Sequence, residues 1–102
     1  MLVEFTVSPH GQGESLSEHV AKVIDVVDSC GLPCMTHPMG TIVEGTWDEV
    51  MDVIKKCHHV LADQGIRTVT AIKIDDRPGK PMNRLTEKIK SVEAKLGRSI
   101  KK

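Results

Sequence analysis

Apolar and polar residues alternate over residues 2–8, with Val3, Phe5 and Val7 on one side and Leu2, Glu4, Thr6 and Ser8 on the other. A period of two predicts a strand with one core face and one polar face. Residues 9–13 hold Pro9, Gly11 and Gly13 and read as a loop. The period then changes. Leu16, Val20, Val23, Ile24 and Val27 recur at helical spacing behind Ser15-Leu16-Ser17-Glu18, which matches a capping box. Gly31 and Pro33 predict the stop of that helix.

Residues 34–37 form a short strand candidate ended by Pro38, and Met39-Gly40 turns the chain into a second strand over residues 41–45. A second capping box, Thr46-Trp47-Asp48-Glu49, opens the clearest helix, with Trp47, Val50, Met51, Ile54, Cys57, His58 and Leu61 in one stripe and Gly65 at its end. Residues 67–75 alternate again: Thr68, Thr70, Ile72 and Ile74 against Val69, Ala71 and Lys73. Arg77-Pro78-Gly79 is a turn. A last helix starts near Pro81 or Asn83, aligns Leu85, Ile89, Val92 and Leu96, and stops at Gly97.

The order is β-α-β-β-α-β-α, two β-α-β halves and a final helix. That is the ferredoxin-like plan of the α+β class: a four-stranded antiparallel sheet in the order 4-1-3-2, with both main helices on one face. The other face has no helix assigned to it. Residues 1–98 make one such domain, and residues 99–102 read as a loose basic tail. A chain of 102 residues fits a single domain with a small core.

Composition narrows the function classes. The formal net charge is zero and aromatics make up 2% of the chain, which argues against a basic nucleic-acid face or a base-stacking platform. No apolar run has the length of a membrane span, and the strand-like start lacks the charged region of a signal peptide. The cysteines Cys30, Cys34 and Cys57 are odd in number and sparse, which suggests reduced thiols and a cytoplasmic setting.

The candidate chemistry lies on the bare sheet face. Strand parity puts Glu4, Thr6 and Ser8 there, with Val69, Ala71 and Lys73 from the fourth strand. In the third strand Ile42 and Glu44 share one side, and Thr41 and Val43 the other. Glu44 is placed on the open face, because a carboxylate beneath the helices would be poorly solvated. Glu4 could then neighbour both Glu44 and Lys73. A bare face of mixed character meets either a second subunit, with Glu4 or Glu44 paired to Lys73, or a small cationic or amine-bearing ligand; the two are compatible.

Other constellations are weaker. Cys57-His58-His59 sits on a helix, where adjacent residues diverge, so it is a poor metal cluster. Cys34 and His37 fall on opposite faces by parity, which argues against an activated nucleophile. Gly11-Gln12-Gly13 lacks the Lys/Ser partner of a phosphate loop. Asp75-Asp76-Arg77 ends a strand and reads as a charged surface turn.

Four segments carry a resemblance. They are Gly40-Thr41-Ile42-Val43-Glu44-Gly45, Trp47-Asp48-Glu49-Val50, Lys73-Ile74-Asp75-Asp76-Arg77, and Ser91-Val92-Glu93 with Lys95-Leu96. In that order they resemble the small thiamine-binding, YkoF-like family, and the likeness covers nearly the whole chain. The resemblance implies a ferredoxin-like fold, homodimers that pair into homotetramers through open sheet faces, and binding of thiamine or its hydroxymethylpyrimidine part without catalysis or a cofactor. It implies that Thr41 and Glu44 belong to the family's Gly-Thr-x-x-Glu-Gly run. Glu44 would accept from the exocyclic amine, hydroxyls among Thr6, Ser8, Thr36 and Thr41 would fix ring edges, and Met35 or Ile42 would pack on a ring. Parity adds Glu4 to that set. The resemblance departs from this chain in one respect: aromatics that could sandwich the rings are almost absent. Two other readings stand beside it: a structural or regulatory oligomeric module that binds another small metabolite, and an enzyme using Glu44, His37 or Cys34. No acid–base pair supports the last.

Overall fold

The structure, a computed structural model, describes residues 1–11, 16–79 and 84–100. In order, the elements are β1 (Leu2–His10), α1 (Leu16–Asp28), β2 (Cys34–His37), β3 (Gly40–Glu44), α2 (Trp47–Ala62), β4 (Arg67–Asp75) and α3 (Arg84–Leu96). The strands form one antiparallel sheet in the order β2-β3-β1-β4, the ferredoxin-like arrangement that the element order implies. Pro9 and His10 belong to β1 rather than to a loop, because they pair with Thr68 and Arg67 of β4.

The register settles the faces. Val3 lies opposite Val43 and Ile74, and Phe5 opposite Thr41 and Ile72, so these residues share the helix side. Val3, Phe5 and Val43 meet Val23 and Val27 of α1 and Val50, Val53, Ile54, Cys57 and Leu61 of α2 in one core. This core is aliphatic apart from Phe5 and Cys57, in keeping with the composition.

Local signals explain the helix ends. Thr46 Oγ1 accepts from Glu49 N at 3.3 Å and Glu49 Oε1 accepts from Thr46 N at 2.9 Å, the reciprocal capping box of α2. The equivalent box before α1 begins at Ser15, outside the described residues, as do Pro81 and Asn83. Gly40 is required where the hairpin meets β1: a Cβ there would sit 3.0 Å from the Phe5 carbonyl oxygen.

Two expectations need correction. Trp47, assigned to the buried stripe of α2, is 57% exposed at the first position of the helix, while Val50 one turn on is fully buried. The open face is also not bare. Leu85, in the first turn of α3, donates its backbone N–H to Glu44 Oε1 at 3.3 Å, so α3 lies over the β3 end of that face. The rest of α3 is loosely held, with Val92 and Leu96 of its apolar stripe about half exposed. The radius of gyration is 15.3 Å, against about 13 Å for a compact domain of this length.

Candidate functional site

The open face begins from β1. Leu2 lies opposite Glu44 and Asp75, Glu4 opposite Ile42 and Lys73, Thr6 opposite Ala71, and Ser8 opposite Val69. Met35 of β2 continues the row past Ile42. Six of the eight candidate side chains therefore have the parity of this face: Glu4, Thr6, Ser8, Met35, Ile42 and Glu44. Thr36 and Thr41 do not. They pair with each other, in line with Phe5, on the helix side.

Position relative to solvent divides the set further. A cavity of about 670 Å³ lies over Leu2, Glu4 and Ile42 and is rimmed by Lys73, Ile74, Asp75 and Asp76. Its lining carries three carboxylates and one ammonium, a local surplus of negative charge over an aliphatic floor. Glu4 is about half exposed and its Oε2 lies 3.4 Å from His37 Nε2. The His37 ring is fixed from its other side, where Nδ1 accepts from Met39 N at 3.2 Å. That bond leaves the proton of a neutral ring on Nε2, facing Glu4. Sequence reasoning set His37 only on the face opposite to Cys34 and did not bring it to Glu4. The pairing depends on the sharp hairpin at Pro38 and Met39.

Glu44 is different. It is 3% exposed, beneath the start of α3 and bonded to the amide of Leu85. The expectation that Glu44 lies open to solvent on a bare face is corrected here, since the start of α3 covers it. A helix start supplies unpaired amides and a positive dipole end, which explains how a carboxylate can be buried there.

Thr6, Ser8, Thr36 and Thr41 converge on a second, smaller cleft of about 250 Å³, between α1 and the β2–β3 hairpin. A third groove, about 450 Å³ between α1 and α2, holds none of the candidate residues.

The thiols and histidines do not assemble into a centre. Cys57 Sγ is buried and directed at Val23 O, His58 Nδ1 bonds Thr70 Oγ1 at 2.7 Å, and His59 Nδ1 meets Asp63 at 3.2 Å. Burial, with Cys30 nearby, pushes the Cys57 thiol up to about 11. Burial, Cys30 and Asp28 raise that of Cys34, which disfavours the thiolate a nucleophile needs. Among the described residues no group of three His, Cys, Asp or Glu side chains is placed to hold a metal, and no helix is long and apolar enough to cross a membrane.

Fold and cavity together define a small α+β protein with a concave, acid-rimmed sheet face, a scaffold suited to holding a small molecule. The chain belongs to the thiamine-binding protein family, whose sequence pattern it matches over residues 3–93. It is 41% identical over 97 residues to the UPF0045 protein Mb1933 of Mycobacterium bovis, covering 94% of each chain. Among solved structures it resembles the hypothetical protein MJ1052 of Methanocaldococcus jannaschii, with TM-score 0.77 and 36% identity over 89% of this chain and 93% of that one. It also resembles the Thermotoga maritima protein TM0486, assigned provisionally to thiamine biosynthesis or salvage, with TM-score 0.73 and 27% identity over 89% of this chain and 96% of the other.

Proposed function

We propose that the protein binds thiamine or its hydroxymethylpyrimidine part, without catalysis, on the open sheet face. The observation that carries this reading is the 670 Å³ cavity in which Glu4, Asp75 and Asp76 outnumber Lys73 over Leu2 and Ile42. Its size lies within the range of small-molecule pockets. Its charge favours a cation such as the thiazolium, and its floor favours a flat ring. Family membership and the likeness to the Thermotoga maritima protein support the same class of ligand. Glu4 takes the role of ligand-facing carboxylate, with Ile42 in the floor and Met35 beside it.

The working form is a homo-oligomer in the cytoplasm. The outer strand β4 is a nine-residue edge with Val69, Ile72 and Ile74 each about 40% exposed, and α3 adds Val92 and Leu96. An edge of that length and apolarity is covered in stable proteins. A second copy paired along this edge would also border the cavity at Lys73 and Asp75.

Calorimetric titration with thiamine tests the reading. The expected result is saturable binding, one site per chain, weakened about tenfold or more by Glu4→Gln through loss of a charge-assisted contact. Thiamine that releases no heat with the wild-type protein while other metabolites do would move the assignment to an oligomeric module for a different ligand.

A further inference from the structure

Glu4 has a cation-forming neighbour on either side. Lys73 lies opposite it on β4. From the other side His37 of β2 reaches it across β3, with Nε2 3.4 Å from Glu4 Oε2. The strand between them permits this, because the residue opposite His37 is Gly40. A Cβ on Gly40 would stand 3.7 Å from His37 Cε1 and 3.0 Å from Thr6 Cγ2, so a larger side chain would fill the space between β1 and the imidazole.

The His37 ring answers to two partners with opposite demands. Nδ1 accepts from Met39 N at 3.2 Å, which needs a lone pair and therefore a neutral ring. Nε2 is shielded from solvent and makes no hydrogen bond, although the Glu4 carboxylate stands beside it. A proton gained by the ring goes to Nδ1, where it meets the Met39 N–H donor to donor and ends that bond. The same proton makes the ring a cation next to Glu4. Protonation thus releases the hairpin contact and draws the ring to the carboxylate. Apart from Glu4, and Lys73 beyond it, the described groups around the ring are uncharged: Thr6 of β1, Gly40 of β3, and Val20, Val23 and Ile24 where α1 faces the hairpin. Glu44 lies four positions further along β3, under the start of α3.

We infer that His37 is a proton-operated competitor for the carboxylate of the open-face site. Neutral, the ring is held at Met39 and leaves Glu4 to a bound cation. Protonated, it occupies Glu4 and cancels part of the negative surplus that attracts the ligand. This inference rests on the open-face reading and adds a regulation to it: the site takes up its cation as pH rises through the imidazole range and releases it as pH falls. Linkage makes the effect reciprocal, so a cation that binds at Glu4 expels a proton from His37.

Thiamine is the probe, titrated calorimetrically at about pH 8 and about pH 6 in buffers of different ionisation heat. The wild-type protein should bind about five- to tenfold more weakly at the lower pH, the smaller end of ordinary coupling between two sites, and should release a fraction of a proton per thiamine in between. His37→Gln keeps a neutral donor of similar reach and cannot gain the proton. It should show neither effect, and it is the reference for any protonation of the ligand itself. In amide-detected NMR of the free wild-type protein the Met39 amide should shift between the two pH values, and saturating thiamine should hold it near its high-pH position. If His37→Gln fails to fold, the Met39 amide carries the test. Equal wild-type affinity at both pH values, an equal pH response in His37→Gln, or a Met39 amide whose pH response thiamine leaves unchanged would each overturn the inference and leave the open-face reading standing. No binding of thiamine at about pH 8 would overturn both.

Discussion

Glu4 and Glu44 point from the same face of the same sheet, one register step apart, yet they live in opposite surroundings. Glu4 stands half exposed with an imidazole at 3.4 Å, while Glu44 is 3% exposed against the amide of Leu85. Strand parity is identical for the two, so the difference comes from what lies on top. At Glu44 that is a helix start, which supplies donors and a favourable dipole; at Glu4 it is an open cavity. A carboxylate on a sheet face is thus a structural anchor or a ligand contact according to whether a neighbouring element already satisfies it.

The largest expected effect separates the two roles outright. Glu44→Ala removes an acceptor from a part-buried amide and should destabilise the fold by about 1–3 kcal/mol. It should also strip hydrogen-exchange protection from α3 before the sheet loses any. Glu44→Gln keeps an acceptor and should cost less. Urea unfolding and exchange read by mass spectrometry measure both. If Glu44→Ala unfolds like the wild type and α3 keeps its protection, Glu44 is no anchor.

Glu4→Gln should do the reverse, with a stability change within about 0.5 kcal/mol, as for most surface substitutions, and a loss of thiamine affinity of about tenfold. An intact thiamine isotherm in Glu4→Gln together with a lost one in Glu44→Gln would invert the comparison and place the ligand under α3.

These contrasts mark how much the sequence can carry. Period-two and period-3.6 patterns located β2 and β4 to the residue, and the element order led to the sheet order, because both depend on local alternation and short connections. Parity correctly grouped Glu4 with Ile42 and Lys73. Coverage was not legible. α3 is amphipathic, but nothing in its own residues says that its first amides meet Glu44, forty-one positions earlier. The single ligand site expected from eight residues divides for a related reason. Thr36 and Thr41 have the other parity, and the gap in the sheet beyond Phe5, which gathers them with Thr6 and Ser8, arises from strands of unequal length. Trp47 reads as core by spacing alone, yet it is 57% exposed, since spacing does not say which end of an apolar stripe has something packed against it.

Burial without a charge partner is the third arm of the comparison. Cys57 is fully buried and its thiol is raised to about 11. A raised folded value means that its stabilising contribution is complete below the unfolded thiol value, about 8.5, and is lost as pH rises toward 11. Chemical denaturation should therefore show stability declining across that window, and Cys57→Ala, though less stable throughout, should show a shallower decline. Parallel alkaline slopes in the two proteins would assign the decline to other groups.

The smallest effect concerns a third carboxylate at a helix start. Glu49 caps α2 from within the helix, as Glu44 meets α3 from across the fold, but Glu49 is exposed to solvent. The Thr46 backbone amide, and then its hydroxyl, hold the Glu49 carboxyl below its ordinary value. A lowered folded value contributes stability that is present above the unfolded carboxylate range, about 4.3, and is lost as pH falls through the folded one. Acidification should therefore lower the exchange protection factors of the first turn of α2, measured against the intrinsic rate at each pH, and Glu49→Gln should flatten that pH dependence while the capping geometry persists. Thr46→Ala removes the reciprocal hydroxyl and should cost about 1 kcal/mol at neutral pH. Solvent already screens Glu49, so its acid response should remain local to that turn. If acid removed protection along the whole of α2 at once, the response would not belong to the Glu49 cap.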